Sequence, residues 1–241
     1  MQVQIKRDSV CDVDVDAVVI PVTSSESLPR ALRELDEASG GALGRFYEAG
    51  DFAGKTGQSV QLPVEGIAAR RVVLVGLGKA REVDAEVLRV AAAAGVRAAH
   101  GKRATSAAIA LPSLRRPVVA DAAFALTEGA LLGLYRFDKY QTLEPRKPDL
   151  ERLVLLVSDS RQQSAVRRAA QTAQHVAEAT CFARDLSNEP GSVATPEALA
   201  RAARELAKRP NLKCTVLTEA QLKREKMGGI LAVGAGSAHP P

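Results

Sequence analysis

The chain has 241 residues, 46% apolar and 25% charged, the proportions of an ordinary globular protein with room for one large domain or for one domain and part of another. Its 33 basic and 28 acidic residues leave a net charge of +5 spread along the sequence rather than gathered into a nucleic-acid-binding stripe. Three cysteines with no CxxC spacing exclude a disulfide framework and point to a reducing compartment.

Read in chain order, short β-branched runs alternate with longer helical patterns. The N-terminus, MQVQIKRDSV, lacks the apolar core of a signal peptide. Gln2–Lys6 and Ala17–Val22 read as strands, and Leu28–Asp36 as a helix followed by a glycine-punctuated stretch. Strands come next at Ser59–Val64 and Arg71–Val75. The run VVLVG is nearly all apolar, which predicts a central strand covered on both faces. Arg70-Arg71 is one of the densest basic runs, with Arg115-Arg116 and Arg167-Arg168; each sits at the edge or on the polar face of an element, as solvated surface does.

Asp84 is placed to cap a helix running to about Ala99, with Glu86 in its first turn where the dipole favours an anion. Ser106–Leu111 is a strand. The helix after Pro117 sets Ala122, Ala125, Leu126, Gly129, Leu132 and Gly133 on one face, a small-residue surface expected to pack closely on a sheet. The apolar window Val118–Tyr135 is broken by Asp121 and Glu128, and no uncharged run approaches the ~20 residues of a membrane span, so a cytoplasmic protein is expected. Leu153–Val157 reads as a strand and Arg161–Leu186 as a long alanine-rich helix. Thr195 caps a helix that opens on Pro196 and runs to about Lys208. Lys213–Leu217 reads as a strand, Thr218-x-x-Gln221 as a capping box, and Ile230–Val233 as a final strand after Met227-Gly228-Gly229. This last unit cannot bury its own apolar faces, as if the chain stopped just inside a second domain.

No motif supplies chemistry by itself. Gly76-Leu77-Gly78-Lys79 follows a strand, but Arg81 replaces the third glycine of the dinucleotide fingerprint. Val73 and Ala80 break the P-loop pattern, and a tight strand-to-loop turn is expected there. His100, His175 and His239 are far apart and there is no HExxH. His175 and Cys181, six apart on one helix, face different ways, and a surface histidine and a buried thiol are expected. Gly234-Ala235-Gly236-Ser237-Ala238 is one residue out of register for a nucleophile elbow and reads as a loop. The stretch ARDLSNEPGSVATPEAL, Ala183 to Leu199, is dense in polar groups. Pro190 turns Glu189 out of the helical region and Thr195-Pro196 starts anew, so it reads as helix, ordered loop, helix. It shows no nucleophile–base pair.

That stretch resembles the opening of the catalytic domain in the leucyl aminopeptidase (cytosol aminopeptidase) family, with its Asn-x-Pro loop and its Thr-Pro at a helix start; Ser192 stands where the family usually has Asn. MGGILAVGAGSAHPP, Met227 to Pro241, resembles a segment slightly later in that domain. LDEASGGAL, DFAGKTGQS and VVLVGLGK resemble the family's N-terminal domain. The resemblance implies an α/β fold. A macro-like mixed or parallel sheet flanked by helices would span residues 1–160, a linking helix 161–187, and an incomplete second α/β domain, the start of the peptidase domain, 188–241. Full-length members hydrolyse N-terminal residues from peptides with two divalent metals, zinc or manganese. Their lysine, aspartate and glutamate ligands lie in a glycine-rich Lys segment and an Asn-Thr-Asp-Ala-Glu-Gly-Arg-like segment, neither of which occurs in these 241 residues. No catalytic, cofactor-binding or metal-binding residue is therefore assigned. The chain by itself is expected to hold no cofactor, to lack activity, and to be a monomer or weak dimer where the family forms homohexamers. The alternative is a stand-alone macro-like module that binds a nucleotide or nucleic acid.

Overall fold

Six of the apolar runs become strands of one sheet: β1 (Gln2–Lys6), β2 (Ala17–Thr23), β3 (Ser59–Pro63), β4 (Arg71–Gly78), β5 (Ser106–Ala110) and β6 (Arg152–Leu156). Their order is β1-β6-β5-β2-β4-β3, with every neighbouring pair parallel except β3, which runs antiparallel to β4. The computed structural model describes residues 1–115, 117–142 and 148–239, so Arg116, Pro240 and Pro241 of the motifs above lie outside the described residues. The chain divides into two compact units, Met1–Cys181 and Phe182–Pro241, and the whole sheet belongs to the first.

Alternation along the central strands builds two cores. Val73, Val75 and Leu77 of β4 face one side, with Val19 of β2 and Ile109 of β5. That side is covered by α3 (Ala85–Gly101), α4 (Val119–Gly133) and the first part of α5 (Gln163–Asn188). Val72 and Leu74 face the other side with Val18, Ile20 and Val22, under α1 (Arg33–Ala38) and α2 (Ala42–Glu48). VVLVG is thus covered on both faces, as expected of a central strand. Asp84 caps α3 as its position predicts, its carboxylate accepting the Val87 N–H at 2.8 Å.

Three readings are revised in this unit. The helix expected at Leu28–Asp36 is a 3-10 turn over Arg30–Leu32, set off by Pro29, and then α1. The glycine-punctuated stretch contains α2, begun once Gly40 and Gly41 have reversed the chain. The small face of α4 meets a helix as well as the shared core: a Cβ at Gly129 would fall on the Arg89 carbonyl of α3, and one at Gly133 on Ala93.

The second unit holds α6 (Pro196–Leu206), α7 (Glu219–Arg224) and α8 (Gly228–Gly234). Lys213–Leu217 has no regular structure, and Ile230–Val233 lies inside α8 rather than in a strand. Apolar runs of four or five residues fit either conformation, and the partner decides. No strand occurs among the described residues of this unit, so an extended segment would leave its N–H groups unpaired, whereas a helix pairs them internally.

Candidate functional site

The polar stretch after Ala183 is spent on two helix ends. Arg184 and Asp185 lie in the last turns of α5, which ends at Asn188. Pro190 then halts the helix, and its carbonyl accepts the N–H groups of Val193 and Ala194, both at 2.8 Å. The Thr195 hydroxyl caps α6 by accepting the Ala198 N–H at 3.2 Å, with Pro196 as the first helical residue. The capping box expected on Thr218 and Gln221 likewise opens α7. These groups finish one helix and begin another, and Ser192 is exposed in the turn between them.

The glycines of Gly76-Leu77-Gly78 lie within the end of β4, before the turn expected there, and they serve packing. The Gly78 N–H donates to the Gly54 carbonyl at 2.9 Å, and the Gly76 N–H to the Gln58 carbonyl at 2.7 Å. A Cβ at Gly76 would strike the Lys55 carbonyl, and one at Gly78 the Thr56 hydroxyl. The backbone space that a phosphate cradle would need is filled by the loop 53–58.

Of the His175 and Cys181 readings, the first holds and the second is revised. His100 and Cys181 line one cavity of about 280 Å³, together with Leu131, Tyr135 and Asp149. The His100 Nε2 is 3.0 Å from the Pro148 carbonyl oxygen. His175 is exposed as expected, but Cys181 is half-buried rather than buried, because α5 turns it to the edge of its packed face. His239 lines an apolar cleft of the second unit with Pro196, Ile230 and Val233. Gly234 ends α8, and the residues after it form the expected loop, although behind a helix rather than a strand. Among the described residues, no three His, Cys, Asp or Glu side chains converge to hold a metal ion. Arg70, Arg167 and Arg168 are exposed, as solvated surface.

The sheet itself creates a site that motif reading missed. The chain leaves β2 toward α1 on one face and leaves the adjacent β5 toward α4 on the opposite face. Connections that part in this way open a crevice at the carboxyl ends of the strands. A cavity of about 350 Å³ lies there, walled by the ends of β2, β5 and β6 and by the segment after β1. Its floor is apolar, from Ile20, Val22, Leu32 and Leu156, and the Asp8 and Glu34 carboxylates stand at its rim. The Ser9 hydroxyl donates to Glu34 Oε1 at 2.7 Å. These residues come from four separate segments, so no local spacing announces them; the only sequence signal is that each lies in the carboxyl half of a strand or in the segment that follows one.

At the opposite, amino end of the sheet, Asp16 ties β2 to β5. Its Oδ2 accepts the Thr105 N–H at 2.9 Å and hydroxyl at 3.0 Å, and the Ser106 N–H at 3.1 Å and hydroxyl at 3.2 Å. Burial works to raise this carboxyl, but the bonds from Thr105 and Ser106 outweigh it and hold the group below its ordinary value of 3.8. Its role is structural.

Comparison with known proteins agrees with the geometry of two units. The model of the cytosol aminopeptidase family's N-terminal domain matches residues 19–144, and that of the family's catalytic domain matches residues 181–241. A probable cytosol aminopeptidase of Syntrophotalea carbinolica is 37% identical over 245 residues, covering 100% of this chain and 49% of that protein. The cytosol aminopeptidase of Pseudomonas aeruginosa is 36% identical over 229 residues, 93% of this chain and 46% of that protein. The chain spans about half the length of the curated relatives it matches. Among solved structures, a tomato leucine aminopeptidase mutant superposes with a TM-score of 0.88 at 28% identity, over 100% of this chain and 49% of that one. The bottromycin maturation enzyme BotP in complex with Mn gives a TM-score of 0.72 at 33% identity, over 94% of this chain and 43% of that one.

Proposed function

The chain belongs to the cytosol aminopeptidase family, and from that premise we propose that its residues supply the N-terminal domain and the opening of the catalytic domain of a metal-dependent aminopeptidase. One coincidence carries the reading. The catalytic-domain match begins at Cys181, where the fold itself divides between Cys181 and Phe182. The substrate class is a peptide with a free N-terminus, and the cofactor is a pair of divalent ions, zinc or manganese; a similar structure, BotP, holds Mn. When bound, such ions polarise the scissile carbonyl and activate a water. The described residues present no donor set that fits them, so no step of the hydrolysis is assigned to a side chain of this chain. The matches favour this reading over a stand-alone nucleotide-binding module. No described helix is long and apolar enough to cross a membrane, which is consistent with the cytosolic setting of the relatives. Homohexamers built by complete catalytic domains are not expected of these residues alone, which we place as a monomer or weak dimer.

Leucine-amide hydrolysis with added zinc or manganese tests the assignment in two arms. The purified chain alone should give no turnover. A chimera in which it replaces the matching half of the Pseudomonas aeruginosa enzyme should turn over in a metal-dependent way. Turnover by the chain alone, or a folded but inactive chimera, would count against the reading.

A further inference from the structure

The crevice at the carboxyl ends of the strands is not used by the reading above, and its chemistry is specific enough to name a ligand class. Its volume of about 350 Å³ falls at the small end of the range for small-molecule sites. The floor is made of side chains that water hardly reaches: Leu32 is 1% exposed, Val22 and Leu156 5%, and Ile20 6%. An apolar body is favoured there because it displaces water from surface already shaped by the sheet. At the rim, every ionisable side chain lining the crevice among the described residues is a carboxylate, Asp8 or Glu34; none is Lys, Arg or His. Lys6 lies 3.9 Å from Asp8 and offsets part of that charge, which leaves Glu34 as the principal anion. Ser9 holds the Glu34 carboxylate through one oxygen, and the Ser113 and Ser158 hydroxyls add neutral hydrogen-bonding groups on the wall.

This lining disfavours phosphorylated ligands. A bound anion is held best beside a cation, and no Lys, Arg or His lines the crevice among the described residues. We propose that the crevice binds a small primary amine carrying an apolar body, of the size of leucine amide, with its ammonium group at Glu34 and its side chain on the Ile20–Leu32–Leu156 floor. A free amino acid fits less well, because its own carboxylate would face the acidic rim. The site stands on the first unit alone and is independent of the aminopeptidase assignment.

The test is a titration of the isotope-labelled chain, followed through its backbone amide signals, with leucine amide, leucine and inorganic phosphate as probes. Leucine amide should give saturable shifts in residues 20–23, 110–114 and 156–158, and leucine should bind at least tenfold more weakly. Glu34→Gln, a change at an exposed position of α1, should weaken leucine amide at least threefold while the circular dichroism stays the same. Absence of saturable shifts in those segments overturns the proposal. So does leucine or phosphate binding as tightly as the amide, or an affinity unchanged by Glu34→Gln. Release of ammonia during the titration would speak against the assignment of function and not against the site.

Discussion

Tyr47 is 5% exposed, and no hydrogen bond reaches its hydroxyl. Burial pushes the phenol up to about 12, so the group stays neutral across the physiological range. A buried hydroxyl with no partner opposes folding, while the ring packs edge-on against Phe52 with centroids 5.7 Å apart. Tyr47→Phe keeps the ring and removes the orphan oxygen, so the urea midpoint should stay level or rise, by up to about 1 kcal/mol of stability. Asp16 is the opposite case, a carboxylate whose partners are complete. Asp16→Asn should cost about 1–3 kcal/mol at neutral pH, because it trades a charge-assisted set of bonds for a neutral one. The sign of the pH dependence follows from the lowered value in the folded state. The stabilisation is fully present above the ordinary carboxylate value of 3.8 and is lost as pH falls through the lower folded value. Urea titrations of the two proteins should therefore differ at pH 7 and converge below that window. Neither role is visible in the sequence. Asp16 gains its meaning from Thr105 and Ser106, 89 and 90 residues away.

Helices α3 and α4 show what a sequence pattern reveals and what it hides. Small residues at helical spacing predict a close contact for α4, and the contact exists; its partner is invisible because spacing defines a face and not what lies against it. Ala122, Ala125 and Leu126 join the core beside the sheet, whereas Gly129 and Gly133 admit the backbone of α3. The Arg89–Glu128 ion pair joins the same two helices, while Glu86, one turn earlier on α3, pairs with the same guanidinium within its own helix. A methyl group at Gly129 would lie 2.6 Å from the Arg89 Cα, against backbone that cannot turn aside as a side chain would. Gly129→Ala should therefore destabilise by at least about 2 kcal/mol, in the range of overpacked cores. At Gly101 nothing lies within 4 Å, so Gly101→Ala in the same assay should be neutral or slightly stabilising. Equal effects of the two substitutions would refute the packing account. The central strand β4 was legible because an uninterrupted apolar run has few alternatives. The four-residue run Ile230–Val233 was not, since only a neighbouring strand could have held it extended.

The two units differ in how much of their apolar surface they bury. In the first, both faces of the sheet carry continuous cores. In the second, Leu222 is the one buried hydrophobic residue among those described. Ile230 is 47% exposed, Leu212 52% and Val233 84%. Helix α6 has a distinct apolar face, yet none of its residues is buried. Full burial of a Leu, Val or Ile side chain is worth about 1.5–3 kcal/mol, and the second unit realises that for a single residue. Little then offsets the cost of ordering some sixty residues, at about 1 kcal/mol or more each for the backbone. Hydrogen exchange should read this directly. Amides of α3, β2, β4 and β5 should exchange only through global unfolding, while those of α6, α7 and α8 open at a small fraction of that free energy. Equal protection in both units would mean that the apolar faces of the second are satisfied in a way their exposure does not show. In the active chimera with the rest of a catalytic domain, the same amides should become protected. Their stability would then come from the surface that covers Ile230 and Val233 and not from the local sequence, whose caps at Thr195 and Thr218 are already in place.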